Sequence, residues 1–78
     1  MAKRDKLIAR IRARPPEADF EDVRGLLEGF GWQMARQKGS HVTFTRQGEH
    51  PIAVPMVRGR KVKRTYLAVI CDRLGLDD

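Results

Sequence analysis

Residues 41–46 read HVTFTR, and the alternation in this stretch decides the architecture of the chain. Its two apolar residues, Val42 and Phe44, are separated by single polar residues. Successive side chains of a β-strand point to opposite faces, so the pattern predicts a strand with one buried and one exposed face. Because Val42 and Phe44 must be buried, we expect His41 and the two threonines on the exposed face.

The segments around this strand follow helical or alternating apolar patterns. These patterns predict helices over residues 3–14, 20–28 and 66–74 and two more strands over residues 32–37 and 52–56. Asp19 and Thr65 are suitable N-caps for the second and third helices. Residues 57–64 read VRGRKVKR and are predicted to form a basic loop.

Four single residues refine this assignment. Trp32 and Met34 are expected on one side of their strand, with Trp32 filling the core. Pro55 fits an edge strand, because it cannot donate to a ladder. Cys71 lies on the apolar face of the last helix, so we expect it to be buried and not reactive.

The order of the elements predicts an α+β fold. Without the first helix it is αβββα, which favours a three-stranded antiparallel sheet with both helices on one face and a shared core. Residues 1–18 are predicted to be a basic N-terminal extension with an extra helix. Residues 19–78 are predicted to form the main domain.

The charge is unevenly distributed along the 78 residues, whose net charge is +6. Residues 1–14 hold six cations and one acid, and residues 51–66 hold five cations and no acid. Residues 15–35 instead hold one cation and five acids. Clustered cations are typical of proteins that bind polyanions, which favours nucleic acid as a partner over a merely solvated surface.

Several classes of protein are disfavoured. One cysteine permits no disulfide framework and fits a reducing compartment. The N-terminus lacks the apolar region of a signal peptide, and no apolar run approaches the ~20 residues that span a bilayer, so we expect a cytoplasmic protein without membrane contact. No Cys/His spacing indicates zinc, and we expect neither a metal nor a cofactor.

His41 is the candidate catalytic residue. It is expected on an exposed face near Arg36, Lys38 and Arg46, where a histidine can take or give a proton near neutral pH. The backbone N–H groups of Lys38-Gly39-Ser40 could hold a phosphate oxygen. This combination suggests metal-independent cleavage of RNA, because DNA lacks the 2′-hydroxyl nucleophile. From these residues alone, an exposed histidine with no function and a solvated basic loop remain open, and His50 is expected to be a solvated loop residue.

The sequence also resembles a known family. The runs GFGWQMARQKGSHVTF, IAVP and TYLAVICDRLGL look like the HicA toxins of bacterial and archaeal toxin–antitoxin pairs, over roughly residues 20–76. The most specific parts are Gly31-Trp32, Gly39-Ser40-His41, Val54-Pro55 and Leu74-Gly75-Leu76.

The resemblance implies a double-stranded-RNA-binding-domain-like fold and a ribonuclease that cleaves mRNA and arrests translation. It implies that His41 is catalytic and that a HicB antitoxin binds the toxin and blocks this histidine. Many members carry a second histidine after the Val-Pro pair, whereas this chain has Met56 and Val57 there. Lys38 is the nearest candidate for a second acid/base group. Residues 1–18 lie outside the resemblance and could bind RNA, dock the antitoxin or have no role.

The leading hypothesis is a metal-independent endoribonuclease toxin with His41 as general acid/base and a HicB-like antitoxin as inhibitor. Its expected RNA contacts are Arg36, Lys38, Gly39, Ser40, Arg46, Arg58, Arg60, Lys61, Lys63 and Arg64. The main alternative is a non-catalytic RNA-binding module of the same fold. A third is a regulator that adds a basic surface to an antitoxin–operator DNA complex.

Overall fold

The computed structural model describes residues 3–76. Within this range the chain forms three helices and five strands. The helices are α1 (Lys3–Arg12), α2 (Phe20–Gly29) and α3 (Arg64–Leu74). The strands are β1 (Glu17–Asp19), β2 (Gln33–Lys38), β3 (His41–Thr45), β4 (Ile52–Pro55) and β5 (Lys61–Lys63).

The main sheet is antiparallel and has the strand order β2-β3-β4, which confirms the predicted three-stranded sheet. Val42 and Phe44 on β3 are fully buried, whereas His41 is exposed, so the alternation predicted for this strand is also confirmed. Pro55 lies on β4, an edge strand of this sheet, as predicted. The sheet therefore has one face against the core and one face that carries His41 to solvent.

The helices α2 and α3 supply the apolar surface that covers the inner face of the sheet. The residues of α2 that repeat at helical spacing are buried, namely Phe20, Val23, Leu26 and Leu27. Leu67, Ile70 and Cys71 are the buried residues of α3. Burial of Cys71 was predicted, and desolvation raises the pKa of its thiol, which keeps the sulfur protonated and unreactive.

The first helix packs into the same core. Ile11 is fully buried, and its carbonyl accepts a hydrogen bond from the Cys71 thiol over 3.7 Å. At Gly25 a Cβ would lie 3.2 Å from Cδ1 of Leu7, so the missing side chain lets α1 and α2 approach closely. The helix ends at Arg12, two residues earlier than predicted, and Arg14 then adopts a φ of 50° before the two prolines.

The predicted basic loop over residues 57–64 is wrong. Val57 and Lys61 exchange two backbone hydrogen bonds of 2.8 and 3.3 Å, which closes a tight hairpin. Residues 61–63 form β5, which pairs with β1 in a second, two-stranded sheet, and α3 begins directly at Arg64. Val62 is fully buried and attaches this short strand to the core. In the sequence it is a single apolar residue among cations, so no alternating pattern indicates a strand.

The N-cap assignments also need correction. Lys63, and not Thr65, occupies the N-cap position of α3. Asp19 does occupy the N-cap position of α2, but its side chain makes no capping hydrogen bond and binds Lys61 instead. The Arg60 carbonyl accepts the first N–H of α2, that of Phe20, at 2.9 Å. The hairpin thus replaces the side-chain cap.

Met34 was predicted on the same side of its strand as Trp32; it pairs with the buried Phe44 but is itself exposed. A bulge between Met34 and Arg36 shifts the register of β2 against β3, and all six residues of β2 are exposed. Trp32 lies just before the strand and is buried, with the Arg73 guanidinium 5.4 Å from its ring centre, so its predicted role as core filler is confirmed.

Candidate functional site

His41 lies at the start of β3, between two neighbouring strands. Its register partners are Lys38 on β2 and Pro55 on β4. Arg36 faces Thr43, the next residue of β3 on the same side of the sheet. Since directly opposed residues lie about 4.5–5.5 Å apart between Cα atoms, Arg36, Lys38 and His41 share one small exposed area.

A two-residue turn, Gly39-Ser40, connects β2 to His41. Gly39 has a φ of +60°, a conformation that favours glycine at the first position of such a turn. The turn is held on both sides, because the Gln37 side-chain amide donates to the Gly39 carbonyl over 3.1 Å and the Met56 N–H donates to the Ser40 carbonyl over 2.7 Å. His41 therefore follows a fixed turn and not a loose loop.

Six of the cations form two sets that differ in their partners. Within residues 3–76, Arg36, Lys38 and Arg58 form no ion pair, and we call them the unpaired cations. Arg10, Arg60 and Lys61 bind acidic residues at the start of α2, and we call them the paired cations. The unpaired cations retain their charge for a ligand, and the field of Arg36 and Lys38 favours an anion beside His41.

The paired cations bind three acids in succession. Lys61 binds Asp19, Arg60 binds Glu21 at 2.8 Å, and Arg10 binds Asp22 at 2.7 Å. The hydrogen bond and charge of Lys61 lower the pKa of Asp19, and the same carboxylate raises the pKa of Lys61. These contacts connect α1 and the hairpin to α2.

A groove lies between the Gly39-Ser40 turn and the hairpin of residues 57–61. It is open to solvent, has a volume of about 670 Å³, and is lined by Gln37, Gly39, Ser40, Met56, Val57, Arg58, Gly59 and Arg60. Gln37 faces Val42 in the register, whereas Lys38 faces His41, so the side chains of Gln37 and His41 point to opposite faces of the sheet. The turn thus separates the groove from the histidine.

The predicted RNA-contacting residues are consequently split. Arg36, Lys38, Gly39 and Ser40 adjoin His41, and Arg58 and Arg60 lie across the groove. Lys63 and Arg64 line another open groove of about 660 Å³ together with Pro16, Glu17 and Thr65. Arg46 follows Thr45, the last residue of β3, which lies about 14 Å along the strand from His41.

His50 lies in the β3–β4 connection, at the opposite end of the sheet from His41. The His50 carbonyl accepts a hydrogen bond of 2.6 Å from Arg73, and the histidine is exposed. Gln37 was not predicted to be a site residue, and Met56 and Val57 were noted only for the histidine missing there. The place of all three in the groove depends on how the hairpin folds back toward the turn.

A protein-family model matches residues 20–76, from the first residue of α2 to the last described residue, and its description is HicA toxin of bacterial toxin-antitoxin. The chain belongs to the HicA toxin family. This membership makes it a toxin-family protein of a toxin–antitoxin system and implies an antitoxin partner. The HicA match leaves α1 outside, although Ile11 of that helix is buried in the common core.

Comparison of this HicA-family chain with curated proteins gave no match, and comparison with solved structures gave none either. Across residues 3–76, each helix is too short and too polar to cross a lipid bilayer. The same residues contain no cluster of three or more His, Cys, Asp or Glu side chains arranged to hold a metal ion.

Proposed function

We propose that this HicA-family chain is an endoribonuclease that cleaves mRNA and thereby arrests translation, with His41 as general acid/base. One observation carries the proposal: His41 is exposed on the sheet face that also holds the unpaired Arg36 and Lys38. A phosphodiester drawn to these cations would lie beside a group that can transfer protons. The chain also fits a double-stranded-RNA-binding-domain-like αβββα fold with an added N-terminal helix.

The chemistry follows from the groups on this face. His41 takes the proton of a ribose 2′-hydroxyl, and the oxygen attacks the adjacent phosphorus while the bond to the 5′-oxygen breaks. The products are a 2′,3′-cyclic phosphate and a 5′-hydroxyl, whose oxygen must gain a proton as it leaves. Lys38, the register partner of His41, is the proposed donor of that proton, and the guanidinium of Arg36 stabilises the charge on the phosphorane.

This reaction requires no metal ion. A metal-dependent nuclease needs carboxylates that converge on divalent ions. Asp19, Glu21 and Asp22 are instead each bound to a cation at the start of α2. The proposal therefore uses the histidine and the cations alone, and places the toxin in the cytoplasm, where its mRNA substrate is translated.

A HicB-like antitoxin is the proposed inhibitor. It would inhibit by covering the face that carries His41, since a residue on an exposed sheet face is accessible to a protein as well as to RNA. The same cations that attract phosphate would attract an acidic surface of the antitoxin.

The proposal is tested by incubating a long single-stranded RNA with the purified chain in EDTA. We compare wild type with His41→Ala and, as a matched control, His50→Ala at the other end of the sheet. The expected result is cleavage by wild type and His50→Ala and none by His41→Ala, with all three proteins binding the RNA. Mass spectrometry of the fragments should find cyclic phosphate ends.

Two outcomes would contradict this proposal. If His41→Ala cuts as fast as wild type, the histidine is not the catalyst. If all three proteins bind RNA in a salt-dependent manner and leave it intact, the chain is a non-catalytic RNA-binding module.

A further inference from the structure

The groove between the Gly39-Ser40 turn and the 57–61 hairpin has no part in the proton transfers described above. Its volume of about 670 Å³ falls in the range of pockets that bind small ligands, roughly 300–1,000 Å³. It lies on the other side of the turn from His41. The groove is therefore a separate feature that needs its own explanation.

Its first wall offers hydrogen-bonding groups in fixed positions. Gln37 donates its side-chain N–H to the Gly39 carbonyl, which orients the amide and leaves its own oxygen as an acceptor. The hydrogen bond from the Met56 N–H to the Ser40 carbonyl joins this wall to the base of the hairpin. Met56 packs against the core, so this junction is anchored on its inner side.

Its second wall is cationic and is held in place. Arg58 is exposed and belongs to the unpaired cations. The neighbouring Arg60 binds Glu21 at 2.8 Å, and its guanidinium lies 5.4 Å from the centre of the Phe20 ring. The Arg60 carbonyl also accepts the Phe20 N–H, so backbone and side chain together attach the hairpin to α2. Arg60 is thus a positioning residue for the wall that carries Arg58.

The path from the groove to His41 crosses the turn at Gly39. A Cβ placed on Gly39 would meet no atom within 4 Å, so the space next to the turn is open to solvent. The remaining residue of the turn, Ser40, both lines the groove and precedes His41 in the chain. One nucleic-acid strand could therefore pass over Gly39 with neighbouring nucleotides on the two sides of the turn.

We propose that this groove binds the nucleotide next to the scissile phosphate of single-stranded RNA. Arg58 contacts the phosphate of that nucleotide, and the free oxygen of the Gln37 amide accepts a hydrogen bond from the base, which gives the site a preference among bases. The choice of RNA as ligand rests on the function proposed above. That the groove binds an anionic ligand is inferred from its shape and its charge alone.

The test uses a short 2′-O-methyl RNA, which lacks the nucleophile and cannot be cut by the proposed reaction. Its binding to the full chain is followed by NMR of backbone amides and by titration at several salt concentrations. We expect amide shifts at residues 39, 40 and 56–60. Arg58→Ala should weaken binding roughly three- to tenfold and reduce the slope of log affinity against log salt by about 0.7.

Arg24→Ala is the matched control, because it removes the same charge from α2, where Arg24 pairs with Glu28 at 3.2 Å, and should leave affinity almost unchanged. Gln37→Ala should reduce the difference in affinity between oligomers of different bases. Shifts confined to the groove of Lys63 and Arg64, or equal losses in Arg58→Ala and Arg24→Ala, would overturn the inference. The 2′-O-methyl RNA measures binding separately from cleavage. A chain that binds it in this groove but does not cut ordinary RNA would refute the proposed function and would still support the proposed binding site.

Discussion

The cations beside His41 and the cations around the start of α2 belong to one basic chain, yet their surroundings differ. Arg36 and Lys38 lie on an exposed strand and, within residues 3–76, have no acidic partner. Arg60 and Lys61, which lie in the densest basic stretch of the sequence, are bound to Glu21 and Asp19. We therefore expect the absence of an acidic partner to be a better guide to the proposed RNA-binding surface than a high local count of cations.

The paired cations have a structural role. They connect three segments distant in sequence, since Arg10 comes from α1, Arg60 from the hairpin and Lys61 from β5. Each of these pairs is at least partly exposed, and exposed pairs contribute about 0–1 kcal/mol each. They specify how the hairpin lies on α2 more than they add stability, while the apolar core supplies the stability for both groups.

The largest expected effect on stability comes from truncating a core side chain beneath the sheet face that carries Arg36 and Lys38. Phe44 is fully buried and alternates with residues of the His41 face. Phe44→Ala should lower the free energy of unfolding by about 3–5 kcal/mol, which is a large part of the ~4–12 kcal/mol expected for a chain of 78 residues. Urea denaturation measures this loss.

The control for that variant is Thr43→Ala, on the opposite face of the same strand. We expect a change of less than about 1 kcal/mol, because Thr43 is only partly buried. Similar losses in both variants would mean that the two faces of the sheet are not divided into core and surface as described.

A smaller effect is expected where the paired cations meet α1. Ile11 is fully buried and holds the helix that carries Arg10. Ile11→Ala should cost about 2–5 kcal/mol in the free energy of unfolding, through lost contacts and the cavity that remains. Lys6→Ala, on the exposed side of α1, should change it by less than about 0.5 kcal/mol. A negligible cost for Ile11→Ala would show that α1 is dispensable to the core.

The smallest effect concerns the pair of Asp19 and Lys61 itself. The pKa of Asp19 is lowered in the folded chain, so its contribution to stability is complete above its unfolded pKa of about 3.9 and is lost as the pH falls through the folded value. The pKa of Lys61 is raised, so its contribution is complete below about 10.5 and is lost as the pH rises through the folded value.

Melting temperatures of wild type and Asp19→Asn across pH 3–11 measure this contribution. The difference between the two proteins should be greatest between about pH 5 and pH 9 and should shrink at both ends. A difference that stays constant across this range would mean that the pair does not contribute through its charges.

The sequence predicted those elements whose apolar pattern is long enough to be distinctive. The helical spacing of Val23, Leu26 and Leu27 identified α2, and the alternation around Val42 and Phe44 identified β3 and the outward direction of His41. The strands β1 and β5 were missed because each has three residues, and Val62 alone marks the buried side of β5. Their existence depends on pairing between segments more than 40 residues apart, which no local pattern reveals.

The candidate site was likewise predictable only in part. Lys38, Gly39 and Ser40 are adjacent to His41 in sequence, so their proximity follows from the turn. The groove could not be predicted, because Arg58 reaches it through a hairpin that was expected to be an open loop. The partners of Arg60 and Lys61 were also not predictable, since Glu21 and Asp19 lie 39 and 42 residues away in the sequence and Asp19 was predicted to be a helix cap.

The most direct test of the distinction between the two groups compares RNA binding by two double variants in the His41→Ala background, which prevents cleavage. Arg36→Ala/Lys38→Ala removes two unpaired cations, and Arg10→Ala/Lys61→Ala removes two paired ones, so both variants lose the same charge. We predict that the first reduces the salt slope of RNA affinity by about 1.4, whereas the second leaves it nearly unchanged at the same salt concentrations. Equal reductions in the two variants, with both still folded by circular dichroism, would contradict the proposal that the unpaired cations form the RNA-binding surface.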